Sequence, residues 1–169
     1  MLSSGTLGAR GFTLIELIMT LMIVGVLGAM GASLMSTGFR TYFAGRELAQ
    51  DAAGGTLAVE RMTRDLRTIR SATAADIPTM GGAAITFVDV DGNSVSYALG
   101  GGSLTRSENG GAAQPLAANV NNLAFTYLQN DGQTMAGAAA QVWYVSVAFT
   151  VASQNASMTF RGTVKPVSF

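Results

Sequence analysis

"RGFTLIELIMTLMIVGVLGAMG", running from Arg10 to Gly31, decides how the rest of the chain is read. From Leu17 to Phe39 there are 23 consecutive residues without a charge, mostly Leu, Ile, Met, Val, Gly and Ala. About 20 such residues span a bilayer as an α-helix, so this run predicts an apolar helical anchor. Glu16 stands immediately ahead of the run, and the next charge beyond it is Arg40. A carboxylate carried into hydrocarbon costs about 2.5–3.5 kcal/mol even on the lenient insertion scale, and residues placed there usually serve a function.

Three readings compete for this segment. A secretory signal peptide would use the weakly basic leader ending at Arg10 and a small-x-small site such as Ala29-Met30-Gly31, and the segment would be removed. A plain transmembrane anchor would keep the segment. Both leave Glu16 as an accident near the membrane edge. The third reading accounts for more residues. Gly11-Phe12-Thr13-Leu14-Ile15-Glu16, preceded by a short polar leader and followed by the apolar run, resembles the class III signal of type IV prepilins.

That resemblance implies cleavage between Gly11 and Phe12 by a prepilin peptidase at the cytoplasmic face, with N-methylation of Phe12. The apolar segment then stays on the mature chain. It also implies a single-pass protein of the bacterial inner membrane, with the C-terminal domain on the extracytoplasmic side. The expected partners are the peptidase, other pilin or pseudopilin subunits, and the inner-membrane assembly platform. Cleavage would place an ammonium at Phe12, a few residues from Glu16. One helical turn rises about 5.4 Å, so two axially staggered copies set the amine of one against the Glu16 carboxylate of the other. Each charge is poorly solvated in an apolar bundle, and pairing relieves a cost that neither copy relieves alone. At Ser33, where many major pilins carry a proline, the chain departs from their pattern.

Composition narrows the function classes. The chain has 169 residues, of which 49% are hydrophobic and 12% charged, with zero net charge. No basic stripe is present, so nucleic acid is not an expected partner. Cys and His are both absent. Disulfides, thiol nucleophiles, Cys/His zinc sites and histidine acid–base chemistry are thereby excluded. The serines have no histidine or recognisable base to activate them. No cofactor, metal or catalytic residue is expected, and the chain does not read as an enzyme.

Beyond the anchor, Phe39, Arg40, Tyr42 and Phe43 read as an interfacial belt with a snorkelling arginine. Gly25, Gly28 and Gly31 fall three apart, which suits either close helix approach or simple tolerance of glycine in lipid. Leu48, Ala52, Gly55, Val59, Met62, Leu66 and Ile69 then alternate spacings of four and three, an apolar seam on one amphipathic helix. The seam is expected to pack on the remainder of the domain. Glu60/Arg64 and Arg61/Asp65 are i,i+4 pairs on the surface, and Gly54-Gly55 marks a point where the helix is open to kinking. The arginines at 61, 64, 67 and 70 read as a solvated face.

After Ile77-Pro78 the period changes to two. The expected strands are 84–90, 94–99, 103–107, 122–129, 142–152 and 157–167. Asp91-Gly92, Gly100–Gly102, Asn109-Gly110 and Asp131-Gly132 supply residues suited to tight turns. A long helix followed only by strands predicts an α+β fold, the helix packed on an antiparallel sheet. The expected segments are a cleaved leader at 1–11, an assembly helix at 12–39, its amphipathic continuation at 40–76 and a β domain at 77–169. Asp89-x-Asp91-Gly92-Asn93 has the flavour of a calcium loop, but its glycine comes too early, and a hairpin turn explains the same residues. Trp143-Tyr144 reads as a half-buried strand pair, and Asn155-Ala156-Ser157 matches a glycosylation sequon by pattern alone.

Within the resemblance, "ERMTRDLR" at 60–67, "VSYALGGGSLTR" at 95–106 and "PLAANVNNLAFTYLQNDG" at 115–132 are similar to minor pilins of the PilW type and to minor pseudopilins of the J type of type II secretion. The implied function is a subunit that primes or joins a pilus or pseudopilus. The rival from another class is a monomeric, membrane-anchored extracytoplasmic β domain that binds a ligand or partner.

Overall fold

The computed structural model describes residues 11–153 and 156–169. One long helix, α1 (Leu14–Arg67), is followed by eight strands: β1 (Thr79–Met80), β2 (Ala84–Val88), β3 (Ser94–Gly100), β4 (Ser103–Glu108), β5 (Gln114–Ala117), β6 (Val120–Leu128), β7 (Tyr144–Ser153) and β8 (Ala156–Val164). The architecture is α+β, as the change of period predicts. The chain divides into two compact units, one ending at Phe43 and the other comprising Ala44–Phe169.

In the unit ending at Phe43, the helix carries long apolar side chains, with Leu and Met favouring it and Gly25, Gly28, Gly31 and Gly38 weakening it. Thr20, Ser36, Thr37 and Thr41 interrupt them, but their hydroxyls donate back to the carbonyls of Leu17, Ser33, Ser33 and Thr37 at 2.9–3.0 Å. A hydroxyl satisfied within its own helix carries little penalty in lipid.

In the Ala44–Phe169 unit, α1 lies against antiparallel strands. Gly55, Ala58, Met62 and Leu66 are its buried residues. The expected seam therefore holds at its centre, with Ala58 taking the inward position and Val59 half-buried beside it. Gly54-Gly55 does not break the helix. Gly55 instead sits beneath the Phe160 ring, where a β-carbon would approach the ring to 2.3 Å. From the sheet side, Gly162 makes the same kind of approach, its missing β-carbon leaving room for Thr63 and Val59.

The helix stops at Arg67, short of the expected boundary near residue 76. Thr68 closes it, its N–H and hydroxyl both donating to the Asp65 carbonyl at 3.0 and 2.7 Å. The chain then runs extended beside the end of β2. Arg70 N–H donates to the Val88 carbonyl and Val90 N–H to that of Thr68, both at 2.9 Å. Ile69 is thus fully buried, as its place in the seam predicts, but beyond the helix. Arg64 and Arg67 in the last turn face the negative end of the helix dipole.

Two sheets form rather than one. The first has strand order β1-β2-β3-β4-β5, the second β6-β7-β8, every neighbour antiparallel. The chain changes sheets between Ala117 and Val120, where Asn119 adopts the left-handed region at φ 57°. The sheets remain linked: Val120 N–H donates to the Gly102 carbonyl at 2.8 Å, and Phe125 N–H to that of Gly82 at 2.7 Å. Strand burial alternates as period two requires, and Ile85, Phe87, Val95, Tyr97, Leu104, Val145, Val147 and Phe149 join Met62 and Leu66 in one core. The turns fall where expected. Gly101-Gly102 and Asn109-Gly110 both carry two successive positive φ values, the requirement of a type I′ hairpin.

All six expected strands exist with ends shifted by a few residues. The expected 157–167 strand stops at Val164, ahead of Lys165-Pro166. β1 and β5 were not anticipated. β1 is two residues long, and β5 contains Pro115, which is tolerated only because β5 is an edge strand.

Candidate processing and assembly site

The residues singled out at the N-terminus occupy the start of α1. Gly11, Phe12 and Thr13 precede the helix, and Leu14 is its first residue. Thr13 caps it. The Glu16 N–H lies 3.4 Å from the Thr13 hydroxyl oxygen and 3.1 Å from its carbonyl, and the Leu17 N–H donates to the same carbonyl at 3.2 Å. Thr13-Leu14-Ile15-Glu16 has the spacing of a capping box, in which the acidic residue occupies the third helical position. This signal was present in the sequence, and it explains why threonine stands three residues before the glutamate. Glu16 also adds a negative charge to the first turn, where the helix dipole favours it.

The carboxylate of Glu16 has no ion-pair partner among the described residues. Its neighbours are apolar and exposed: Phe12 at 78% and Leu14 at 79% of their maximal accessible surface. Exposure continues through Val24, Leu34 and Phe39 to Tyr42 and Phe43, so among the described residues nothing covers the apolar surface of this part of the helix. Such a surface is far larger than the few hundred square ångströms that a monomeric soluble protein tolerates. By length and composition α1 is able to cross a membrane.

In the β-bearing unit, the strongest polar constellation joins α1 to the first sheet. Asp65 accepts from the Tyr97 hydroxyl at 2.7 Å and from Arg106 Nε at 2.7 Å, and it pairs with Arg61 at 3.2 Å. Arg106 extends the chain of charges to Glu108 at 2.8 Å. Burial, together with the adjoining Asp65 carboxylate, pushes the Tyr97 hydroxyl above its usual range, so it remains a donor. Of the two expected i,i+4 pairs, Arg61/Asp65 forms, while Glu60/Arg64 is not among the ion pairs of the described residues. This cluster is fully engaged internally and is a clamp rather than a reaction centre.

The remaining candidates resolve into local structure. Asp89 accepts the N–H of Asp91 at 3.0 Å and that of Asn93 at 2.7 Å, with Gly92 at φ 88°. That is a side-chain-supported hairpin turn. Among the described residues no group of three or more acidic side chains is placed to hold a metal ion. Trp143 is 38% exposed and lies under Lys165, whose ammonium sits 4.5 Å from the ring centroid. Asn155 of the sequon lies outside the described residues.

Comparison with known proteins agrees with this N-terminal emphasis. The family model described as the prokaryotic N-terminal methylation motif matches residues 7–32, the stretch holding Gly11, Phe12, the Thr13 cap and Glu16. No curated protein matches the chain. The motif is the type IV prepilin signal, and it supports a type IV pilin-like protein, a structural-subunit class. It implies processing by prepilin peptidase and assembly with other pilins. With the apolar helix, it fits an inner-membrane anchor.

Proposed function

We propose that the chain is a minor pilin or pseudopilin, a structural subunit that primes or joins a type IV pilus or a type II secretion pseudopilus. The segments are a leader at 1–11, an assembly helix at 12–39 with its continuation beyond, and an extracytoplasmic β domain. Prepilin peptidase cuts between Gly11 and Phe12 and N-methylates Phe12. The mature helix stays in the inner membrane until the assembly platform draws it into a filament. There the Glu16 carboxylate meets the Phe12 ammonium of a neighbouring subunit, fixing axial stagger more than adding net stability. The match to the methylation motif over residues 7–32 carries this reading. The exposed apolar helix and a Glu16 carboxylate without an ion-pair partner among the described residues support it.

Intact-mass measurement of the chain from hosts with and without prepilin peptidase tests the proposal. Loss of residues 1–11 and a methyl group on Phe12 are expected only where the peptidase is present. An uncut chain in both hosts would turn the assignment towards a monomeric anchored β domain. A new terminus near Ala32 would indicate ordinary secretion.

A further inference from the structure

The chain contains one Asn-Gly pair, Asn109-Gly110, and asparagine ahead of glycine carries the least durable of side-chain amides. Glycine has no β-carbon to shield its nitrogen, and nothing lies within 4 Å of a β-carbon built on Gly110. The pair follows β4 with φ values of 52° and 70°, a conformation that asparagine and glycine accept more readily than other residues. The asparagine side chain is tied down. Asn109 Oδ1 accepts the Ser94 N–H at 2.9 Å, and Asn109 Nδ2 donates to Asn93 Oδ1 at 3.1 Å. Asn93 Nδ2 donates in turn to Asp89 Oδ2 at 3.3 Å, while Asp89 Oδ1 receives the N–H groups of Asp91 and Asn93.

These bonds form a relay with one direction, from the Ser94 N–H through the amides of Asn109 and Asn93 to Asp89. Asp89 is a carboxylate and only accepts, which sets the orientation of Asn93 and, through it, that of Asn109. A carboxylate in place of the Asn109 amide would also only accept. Asn93 would then lie between two acceptors with its amide nitrogen turned to one of them and its amide oxygen to the other. Asn93 is half-buried, and a polar atom set against the wrong partner there weakens the fold.

We propose that Asn109 is a deamidation site held shut by this relay, and that its modification unlatches the turn after β4 from the start of β3. The deprotonated Gly110 backbone nitrogen attacks Asn109 Cγ. The N–Cγ bond forms, the Cγ–Nδ2 bond breaks, and the amide nitrogen leaves as ammonia with the proton that Gly110 gave up. Water then opens the cyclic imide at either carbonyl, giving aspartate or isoaspartate, whose backbone runs through the side-chain carbon. Neither step oxidises or reduces anything. Ring closure needs the side chain to swing back onto Gly110, so the bonds to Ser94 and Asn93 must open first. The reaction therefore samples local opening rather than the closed fold. The inference goes beyond the pilin assignment and does not rest on it.

Peptide mass analysis of the detergent-solubilised full chain, held in mildly alkaline buffer with and without urea, tests the proposal. Conversion at Asn109 is expected to be about tenfold or more slower in the folded chain than in urea. Asn93→Ala removes the middle of the relay and is expected to raise the folded-state rate several-fold, with no change in urea. Tyr97→Phe weakens the fold at the Asp65 contact, away from the relay, and is expected to leave the rate near that of the native chain. Asn109→Asp imitates the product and is expected to lower the thermal midpoint. Equal rates in buffer and urea, or a native rate in Asn93→Ala, overturns the proposal. So does equal acceleration by Asn93→Ala and Tyr97→Phe, which would assign the protection to global stability. An unchanged midpoint in Asn109→Asp overturns the unlatching.

Discussion

Tyr97, fully buried on β3, donates its phenolic hydrogen to the Asp65 carboxylate on α1 at 2.7 Å, and Arg106 of β4 donates to the same oxygen. Helix and sheet are thereby tied at a point where sliding one along the other would strand a buried hydroxyl. Hydrogen bonds to charged groups contribute about 1.5–3 kcal/mol. Tyr97→Phe is expected to lower unfolding stability by that order while leaving Asp65 paired with Arg106. Asp65→Ala strands two partners and is expected to cost more, about 3–5 kcal/mol by the measure of broken buried pairs. Urea unfolding of the two variants, followed by tryptophan fluorescence, reads the difference. Equal loss from both would mean that the carboxylate is held by Tyr97 alone.

Adjacent glycines on α1 should respond with opposite sign. Nothing lies within 4 Å of a β-carbon built on Gly54, whereas one on Gly55 would strike the Phe160 ring. That ring is stacked on Phe149 at 5.3 Å between centroids and is not free to swing aside without losing the stack. Gly54→Ala is expected to stabilise by roughly 0.5–1 kcal/mol, the gain for alanine over glycine inside a helix. Gly55→Ala is expected to destabilise by about 1–3 kcal/mol through overpacking. Thermal midpoints moving in the same direction would show that the helix does not sit this close to β8.

Acid should loosen the segment that leaves the helix. Asp76 is buried at 4% exposure and accepts from Arg70 Nε at 3.0 Å and from the Ser71 hydroxyl. The Arg70 contact first, then Ser71, holds its carboxyl below the ordinary range. A carboxyl depressed on folding stabilises the native state above its unfolded value of about 3.9, and that contribution disappears as pH falls towards the folded value. Stability is therefore expected to drop from about pH 5 downwards. Asp76→Asn should be less stable at neutral pH and show a shallower acid decline. An unchanged acid slope in the variant would assign the decline to other carboxylates.

What could be read from the sequence was local or periodic. The capped apolar run, the four-and-three seam, the period-two strands and the glycine turns each depend on residues within a few positions of one another. The Asp65–Tyr97–Arg106 clamp joins positions 32 and 41 apart along the chain, and no local pattern encodes that meeting. β5 was hidden by Pro115, which argues against any central strand, and β1 by its length. The chain passes from one sheet to the other at Asn119, a left-handed residue in a stretch to which the sequence assigned no strand. The helix end at Arg67 was masked because Ile69 keeps the apolar phase while its backbone has already passed to the sheet. At the N-terminus, the motif contains Thr13, and the reason for a threonine there lies in the cap it makes to the Glu16 N–H.

That geometry separates two contributions of the Thr13–Glu16 pair. Thr13 organises the first turn by accepting the Glu16 N–H, a cap whose loss costs about 1 kcal/mol. The Glu16 carboxylate is not consumed by the cap and has no ion-pair partner among the described residues, so its charge remains available to another chain. Thr13→Val should fray the helix start yet leave filament incorporation measurable. Glu16→Gln keeps the size and removes the charge, and Glu16→Val removes both polarity and charge. Both glutamate variants are expected to be cut at Gly11-Phe12 and methylated normally, then to remain in the membrane fraction. Immunodetection of the chain in sheared filaments or secretion complexes, alongside intact mass, distinguishes processing from assembly. Glutamine or valine at position 16 entering filaments at the native level would show that charge pairing does not set the stagger. Loss of cleavage itself would place Glu16 in peptidase recognition instead. Retention of cleavage with loss of assembly is the result that the Glu16 carboxylate, in the first turn of an apolar helix and without an ion-pair partner among the described residues, leads one to expect.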